Sequence, residues 1–246
     1  MRFYKPWNVF QVNRTLAVEV VEVDGARIVL VDNFYKTPDL IREIILQTPA
    51  PIWKTSSNSK NFIEYYDCRH QTQVNDQFLQ AQKTIALLAK KYLNTDVLQP
   101  ITTFNTNYFQ LINDQPDHTV SVPHEDGQCL AALVCFNTPE ECHGGTGFYA
   151  NRFNGVTNAA RLTDLEHKAM MQWMHANNLF ENGDDYFLHD WREYWRHVYL
   201  AEMRYNRLIM YKGPIFHGAY HTDSHFKQYP RINHMMFFDQ VSFNPL

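Results

Sequence analysis

At 246 residues the chain is long enough to bury roughly 70% or more of its unfolded surface without covalent staples. Hydrophobic residues make up 45% and charged residues 20%, as in folded globular proteins, and a net charge of −4 with a pI near 6.3 excludes a protein that binds nucleic acid by neutralising phosphates. Four cysteines (Cys68, Cys129, Cys135, Cys142) without CxxC spacing exclude a disulfide scaffold, and no run of 18 apolar residues spans a membrane. The opening MRFYKPWNVFQVNRT lacks the apolar stretch of a signal peptide, so the expectation is a reduced, cytoplasmic protein.

Leu16 to Val23 reads as a strand, Asp24-Gly25 as a tight turn and Ala26 to Val31 as the returning strand. Thr37-Pro38-Asp39 is a helix start, with Thr37 as N-cap and Pro38 at the first helical position, and Leu40, Ile41, Ile44 and Ile45 follow at helical spacing. A second helix is predicted from about Gln73 to Tyr92, with Phe78, Ala81, Ile85, Leu88 and Tyr92 on one face. After Pro100 strands take over: Ile101 to Ile112, ended by the turn Asn113-Asp114-Gln115-Pro116, and then Leu130 to Phe136, whose continuous apolar run marks a strand covered on both faces. Gly144-Gly145 reads as a hairpin turn requiring positive φ. Leu162 to Arg204, rich in Trp, Met, Glu and Arg, reads as helix, and strands return at Asn206 to Lys212, near His217 and at Arg231 to Asp239. Aromatic residues, at 15%, suit a sheet-rich protein.

The most informative segment is Pro123-His124-Glu125-Asp126-Gly127. In extended backbone residues i and i+2 project to one side, so His124 and Asp126 can offer an imidazole nitrogen and a carboxylate oxygen to one metal ion. With a second His from a distant strand they form a two-His, one-carboxylate set with open positions, the arrangement suited to non-haem Fe(II) and O2. About one His-x-Asp/Glu triplet is expected by chance in such a chain, and a second one, His221-Thr222-Asp223, lies in a polar loop; context favours the first.

Order and context together resemble the Fe(II)/2-oxoglutarate-dependent dioxygenases, in particular their prolyl-hydroxylase-like branch and its bacterial relatives. The matching stretches are Pro123–Gly127, Leu130–Asn137, Gly144-Gly145-Thr146-Gly147-Phe148-Tyr149, Asn206–Tyr211, Phe216-His217-Gly218 and Pro230-Arg231-Ile232-Asn233, with Val29–Phe34 similar to the opening of that branch. The resemblance implies a mainly β fold with helices, an α+β chain whose core is a double-stranded β-helix or jelly-roll with N-terminal supporting helices. It implies one domain over 1–246, with 1–100 as support and 101–246 as core carrying a helical insertion at about 150–205. It further implies Fe(II) on His124, Asp126 and a third ligand. His217, 14 residues before Arg231, fits the local pattern, while His221, ten before, fits the family spacing; His217 is preferred. Arg231 would pair with the far carboxylate of 2-oxoglutarate, with Asn233 beside it and Tyr108 as a second hydrogen-bond partner. The expected reaction is hydroxylation of a small-molecule, amino-acid or peptidyl substrate, with no nucleic-acid or membrane partner. A cupin-like isomerase or hydrolase and a non-catalytic ligand-binding barrel are the alternatives.

Read singly, other residues have ordinary explanations. His143, His221, His225 and His234 read as solvated loop or strand histidines, and Cys129 and Cys135 as buried packing. Trp173, Trp191 and Trp195 with Met170, Met171, Met174 and Met203 read as a helix packed on its own domain. Arg192, Arg196 and Arg204 with Glu193 and Glu202 read as a solvated helix face.

Overall fold

The computed structural model describes residues 9–55, 63–66, 76–101, 107–112, 123–177, 193–220 and 229–244. Its elements in chain order are strands β1 (Ala17–Val23) and β2 (Ala26–Asp32), helix α1 (Pro38–Gln47), strands β3 (Lys54–Thr55) and β4 (Ile63–Tyr66), helix α2 (Asp76–Leu88), and strands β5 (Thr95–Val97), β6 (Asn107–Ile112), β7 (Leu130–Cys135) and β8 (Gly145–Asn151). Helix α3 (Asp164–Ala176) and strands β9 (Trp195–Glu202), β10 (Leu208–Lys212), β11 (His217–Tyr220), β12 (Arg231–Phe238) and β13 (Val241–Phe243) follow. The described chain is therefore mostly β with few helices, and none of these helices is long and apolar enough to cross a membrane.

Local chemistry explains the elements. The β1–β2 turn places Asp24 at φ 48° and Gly25 at φ 73°, the doubly left-handed turn that matches strand twist. Helix α1 starts as expected, with Thr37 at the N-cap and Pro38 at N1, and α3 is opened by a capping box between Thr163 and Glu166. Helix α2 runs on through a π-type turn, Ala89–Leu93, and stops at Asn94, whose φ of 51° ends the helical path.

Eight strands form a sheet in the order β1-β2-β10-β7-β12-β6-β4-β3, and three more form a second sheet, β11-β8-β9. One face of the large sheet, with Val31, Phe109, Val134 and Ile232, packs on Ile41 and Ile45 of α1 and Phe78 and Ile85 of α2. Burying each such side chain contributes about 1.5–3 kcal/mol before conformational entropy is counted. The opposite face, with Ile28, Leu30, Leu133, Ile209 and Tyr211, packs on Phe148 and Ala201 of the small sheet. The outer face of the small sheet is capped by α3, through Met170 and Met174 against Tyr149, Trp195 and Phe216. That is the self-packing expected of the Trp/Met stripe; Trp191 lies outside the described residues.

Three sequence expectations need correction. The segment read as helix to Arg204 is α3 followed by strand β9, which pairs antiparallel with β8. Helix-favouring composition does not carry helical periodicity, and His197, Val198 and Tyr199 lie on β9 where neighbouring strand edges reward them. Arg196 consequently pairs with Asp24 at 3.8 Å across the fold, and Arg204 with Asp32 at 3.7 Å and with neighbouring Glu202 at 3.6 Å, none of them along a helix face; Arg192 is outside the described residues. Gly144 and Gly145 do adopt positive φ, 61° and 157°, but they join strands of different sheets and so are not a hairpin turn. A Cβ on Gly145 would stand 2.1 Å from the Ala201 carbonyl oxygen, which is why only glycine fits there. His234 is fully buried, bonded through Nδ1 to Tyr35 Oη at 3.1 Å and through Nε2 to Asn107 Oδ1 at 2.8 Å; partners distant in sequence make a polar residue acceptable in the core. The predicted turn at 113–116, Cys68, His221 and His225 fall outside the described residues.

The start of β10 is anchored firmly. Asn206, at φ 58°, holds both backbone groups of Tyr35 with its amide, and buried Arg207 meets Asp32 through two bonds of 2.5 and 2.9 Å. The short turn after β10 then delivers His217.

Candidate metal centre

His124 and Asp126 lie on a segment that leaves the large sheet before β7 and pairs with the beginning of β11. His124 and His217 exchange two backbone hydrogen bonds of 2.9 Å, and the Asp126 N–H donates to Gly213 O at 2.9 Å. Backbone alone thus fixes the spacing of three side chains from two remote stretches. Their ligand atoms all lie within 4.8 Å of one another.

The His217 ring is oriented by its other nitrogen. Nδ1 lies 2.8 Å from Ile215 O, and a carbonyl only accepts, so Nδ1 carries the proton and Nε2 presents a lone pair. That lone pair stands 3.1 Å from Asp126 Oδ2, and His124 Nε2 is 3.8 Å from Asp126 Oδ1. Oδ2 is buried and has no hydrogen-bond donor among the described residues. Two electron-pair donors facing each other this closely repel unless a cation lies between them. A proton would satisfy the pair, but His124 Nε2 converges on the same carboxylate, so three donors and not two surround one point. Adjacent donors around a metal at about 2.1 Å stand about 3 Å apart, so the residues present fit a divalent ion. Cys129 is not part of this cluster; burial, with Asp126 nearby, pushes its thiol up to about 12.

His217 pairs across β11–β8 with Phe148, which faces the space between the sheets. Arg231 faces the same space, since Met235 and Phe237 of β12 point inward while Ile232, Met236 and Phe238 point to the helices. Arg231 is 3% exposed, and burial disfavours its charge. Among the described residues its Nη1 makes only a long contact, 3.4 Å, with Gly145 O. Asn233, oriented with its amide oxygen toward Arg231, accepts from Nε at 3.1 Å and donates to Ile232 O at 3.2 Å. No carboxylate of the described residues forms an ion pair with this guanidinium. Tyr108 lies on the same inner face of β6, opposite Met235 and near Phe237, half-buried.

Two features have no sequence signal. Tyr211, inside the apolar run of β10, places its ring 4.6 Å from that of His217. Glu125, between the two expected ligands, turns the other way, accepts from the Gly127 N–H at 3.0 Å and lies 3.9 Å from His167 Nε2 of α3. Helix α3 therefore borders the segment that carries His124 and Asp126. His221 falls outside the described residues.

The sequence matches, over residues 13–232, the family described as family of unknown function DUF6445. No curated protein matches it. Among solved structures it is similar to the non-haem α-ketoglutarate-dependent epimerase SnoN from nogalamycin biosynthesis, with a TM-score of 0.47 and 16% identity over 89% of this chain and 80% of that one. It is similar to the carbocyclase SnoK from the same biosynthesis, at 0.46 and 13% over 89% and 82%, and to EctD from S. alaskensis, at 0.42 and 13% over 85% and 71%.

Proposed function

We propose that this chain, which belongs to the family of unknown function DUF6445, is an Fe(II)- and 2-oxoglutarate-dependent oxygenase. The observation that carries the reading is the convergence of His217 Nε2, at 3.1 Å, and His124 Nε2, at 3.8 Å, on the two oxygens of the half-buried Asp126 carboxylate. Two histidines and one carboxylate leave positions open for a chelating co-substrate and O2. Arg231 supports the second half of the reading: a buried planar fork with no ion-pair partner among the described residues suits a carboxylate brought by a ligand. Fe(II) with 2-oxoglutarate supplies, when bound, the oxidation of a substrate C–H bond by O2, coupled to formation of succinate and CO2.

The chain's own part is orientation and exclusion of water. Ile215 O sets the His217 tautomer, Gly213 O fixes the backbone of Asp126, and Asn233 sets the rotation of the Arg231 fork, leaving its terminal nitrogens to the ligand. Leu133, Phe148 and Ile209 line a dry interior, in which charge-assisted hydrogen bonds are stronger than in water. Hydroxylation is the favoured outcome, since a carboxylate fills the position that a halide would need. The two facing sheets are read as a double-stranded β-helix and the chain as one domain, whose insertion at about 150–205 borders the substrate path. The substrate is a small molecule, an amino acid or a peptidyl side chain; the net negative charge argues against nucleic acid.

Anaerobic calorimetric titration with Fe(II) tests the ligand set. One ion should bind the wild type and His221→Ala, and binding should be lost in His124→Ala, Asp126→Ala and His217→Ala. Loss in His221→Ala with retention in His217→Ala would replace the third ligand. A folded wild type that binds no Fe(II) would end the reading.

A further inference from the structure

We infer that the inner face of β6 and β12 beside the metal centre, formed by Tyr108, Met235 and Phe237, receives an uncharged, largely apolar part of the substrate. The assignment rests on the oxygenase reading above and narrows its substrate class. Strand alternation decides which side chains stand there. Ile232, Met236 and Phe238 of β12 and Phe109 and Leu111 of β6 pack toward the helices, so Met235, Phe237 and Tyr108 turn to the space between the sheets. Tyr108 is paired with Met235, and its ring lies 6.4 Å from that of Phe237. Phe237 is paired with Ala131 of β7, and Ala131 with Tyr211 of β10, whose ring lies 4.6 Å from that of His217. Neighbouring strands stand about 4.8 Å apart, so one row of the sheet carries Phe237 to within about 10 Å of the backbone whose ring touches a metal ligand.

Burial separates this stretch from the rest of the same face. Ile28, Leu30, Leu133, Ile209 and Tyr211, nearer the small sheet, are 3% exposed or less, whereas Tyr108, Met235 and Phe237 are half-buried. A sheet face that meets solvent ordinarily carries polar residues, because leaving apolar area in water forfeits about 25 cal/mol per Å². Here β6 and β12 keep two aromatic rings and a thioether on the half-open side. Of the side chains that β6, β7, β10 and β12 turn to this space, the one charged group is Arg231, already given to the co-substrate. A wall of rings and thioether, free of formal charge and continuous with a metal centre, suits a ligand surface that is itself uncharged. An ammonium or carboxylate pressed against it would lose hydration and gain no partner. Met235, flexible and polarizable, adapts to a ring or an alkyl chain. The part of the substrate brought to the metal is thus apolar, and not the charged end of a free amino acid.

The test uses p-cresol as an uncharged probe and L-arginine and L-glutamate as charged ones, on the full chain saturated with 2-oxoglutarate. Mn(II), which accepts the same nitrogen and oxygen donors, replaces Fe(II), so that its paramagnetism reports any probe bound beside it through proton relaxation. The p-cresol protons should be relaxed by the loaded wild type and the charged probes should not. Affinity for p-cresol should fall about tenfold in Phe237→Gln and in Met235→Gln, and stay within about twofold of wild type in Phe153→Gln, where the exposed ring lies on another surface. Metal and 2-oxoglutarate binding with no relaxation of p-cresol, or with equal affinity in Phe237→Gln and Met235→Gln, would overturn the inference and leave the oxygenase reading standing. Stronger relaxation of either charged probe than of p-cresol would overturn it as well. A folded wild type that binds neither Fe(II) nor Mn(II) would remove the reading and this inference together. If Phe237→Gln does not fold, Phe237→Ser is judged by the same affinities.

Discussion

Replacing Arg231 with methionine should make the ligand-free protein more stable and the ligand-bound protein less so. The guanidinium is buried, accepts no help from a carboxylate of the described residues, and makes one good bond, 3.1 Å to Asn233, and one long one, 3.4 Å to Gly145 O. Exchanging buried charge for apolar volume of similar length is neutral or stabilising by about 1–4 kcal/mol. Against that, the Asn233 amide loses a partner, at about 1 kcal/mol. The net expectation is a gain of about 1 kcal/mol, or about 2–4 °C in Tm for a chain of this size. A dicarboxylate, by contrast, should lose about 2–5 kcal/mol of binding, from about thirtyfold to several thousandfold in Kd. At a ligand concentration of about 100 times the wild-type Kd the wild type should gain about 2.7 kcal/mol, and the variant about 0.9 kcal/mol or less. Melting curves with and without 2-oxoglutarate should therefore cross: the variant above the wild type alone, and below it with ligand. A variant destabilised by more than about 2 kcal/mol whose 2-oxoglutarate shift matches the wild type would refute the reasoning and make Arg231 a structural residue.

His234, fully buried and neutral, has its pKa pushed down by burial to about 3. The unfolded chain binds that proton near pH 6.5, so the contribution of His234 is fully present above pH 6.5 and is lost as pH falls toward 3, at about 1.4 kcal/mol per unit. Urea denaturation should show about 2 kcal/mol less stability at pH 5 than at pH 6.5, and His234→Phe, surrounded by Phe10, Phe78 and Phe109, should flatten that slope; a flat wild-type profile would contradict it. Gly145→Ala drives a Cβ to within 2.1 Å of Ala201 O and should cost about 3 kcal/mol or more by opening the β8–β9 pairing. Gly127→Ala, at φ 67° with nothing within 4 Å, should cost only about 1–2 kcal/mol; equal losses in thermal melts would show that the space at Gly145 is not what matters.

Much of the site was legible because strand geometry is local. The i, i+2 spacing of His124 and Asp126 predicts side chains on one face, and the two are found with Oδ1 and Nε2 3.8 Å apart. The place of His217 was not fixed by counting residues to Arg231; it depends on how Gly213 and Pro214 turn the chain, and pairing with His124 brings His217 beside Asp126, while His221 lies outside the described residues. Tyr211 was illegible because a tyrosine in an apolar strand reads as packing, and only the pairing of β10 with β2 and β7 shows it beside His217. His234 was misread for a similar reason. Its partners Tyr35 and Asn107 lie 199 and 127 residues away, and no local pattern reports such bonds. Strand β9 was hidden by helix-like composition, since its stabilisation comes from the edge of β8.

The central claim is that His124, Asp126 and His217 with Arg231 hold Fe(II) and 2-oxoglutarate together, and its most direct test is spectroscopic. Anaerobic addition of 2-oxoglutarate to the Fe(II)-loaded protein should produce the weak visible charge-transfer band of a chelated keto acid, absent with succinate and lost in His217→Ala. A folded, Fe(II)-loaded protein that gives no band at saturating 2-oxoglutarate would contradict the account and favour a cupin-like metal enzyme that uses the same triad without a keto-acid co-substrate.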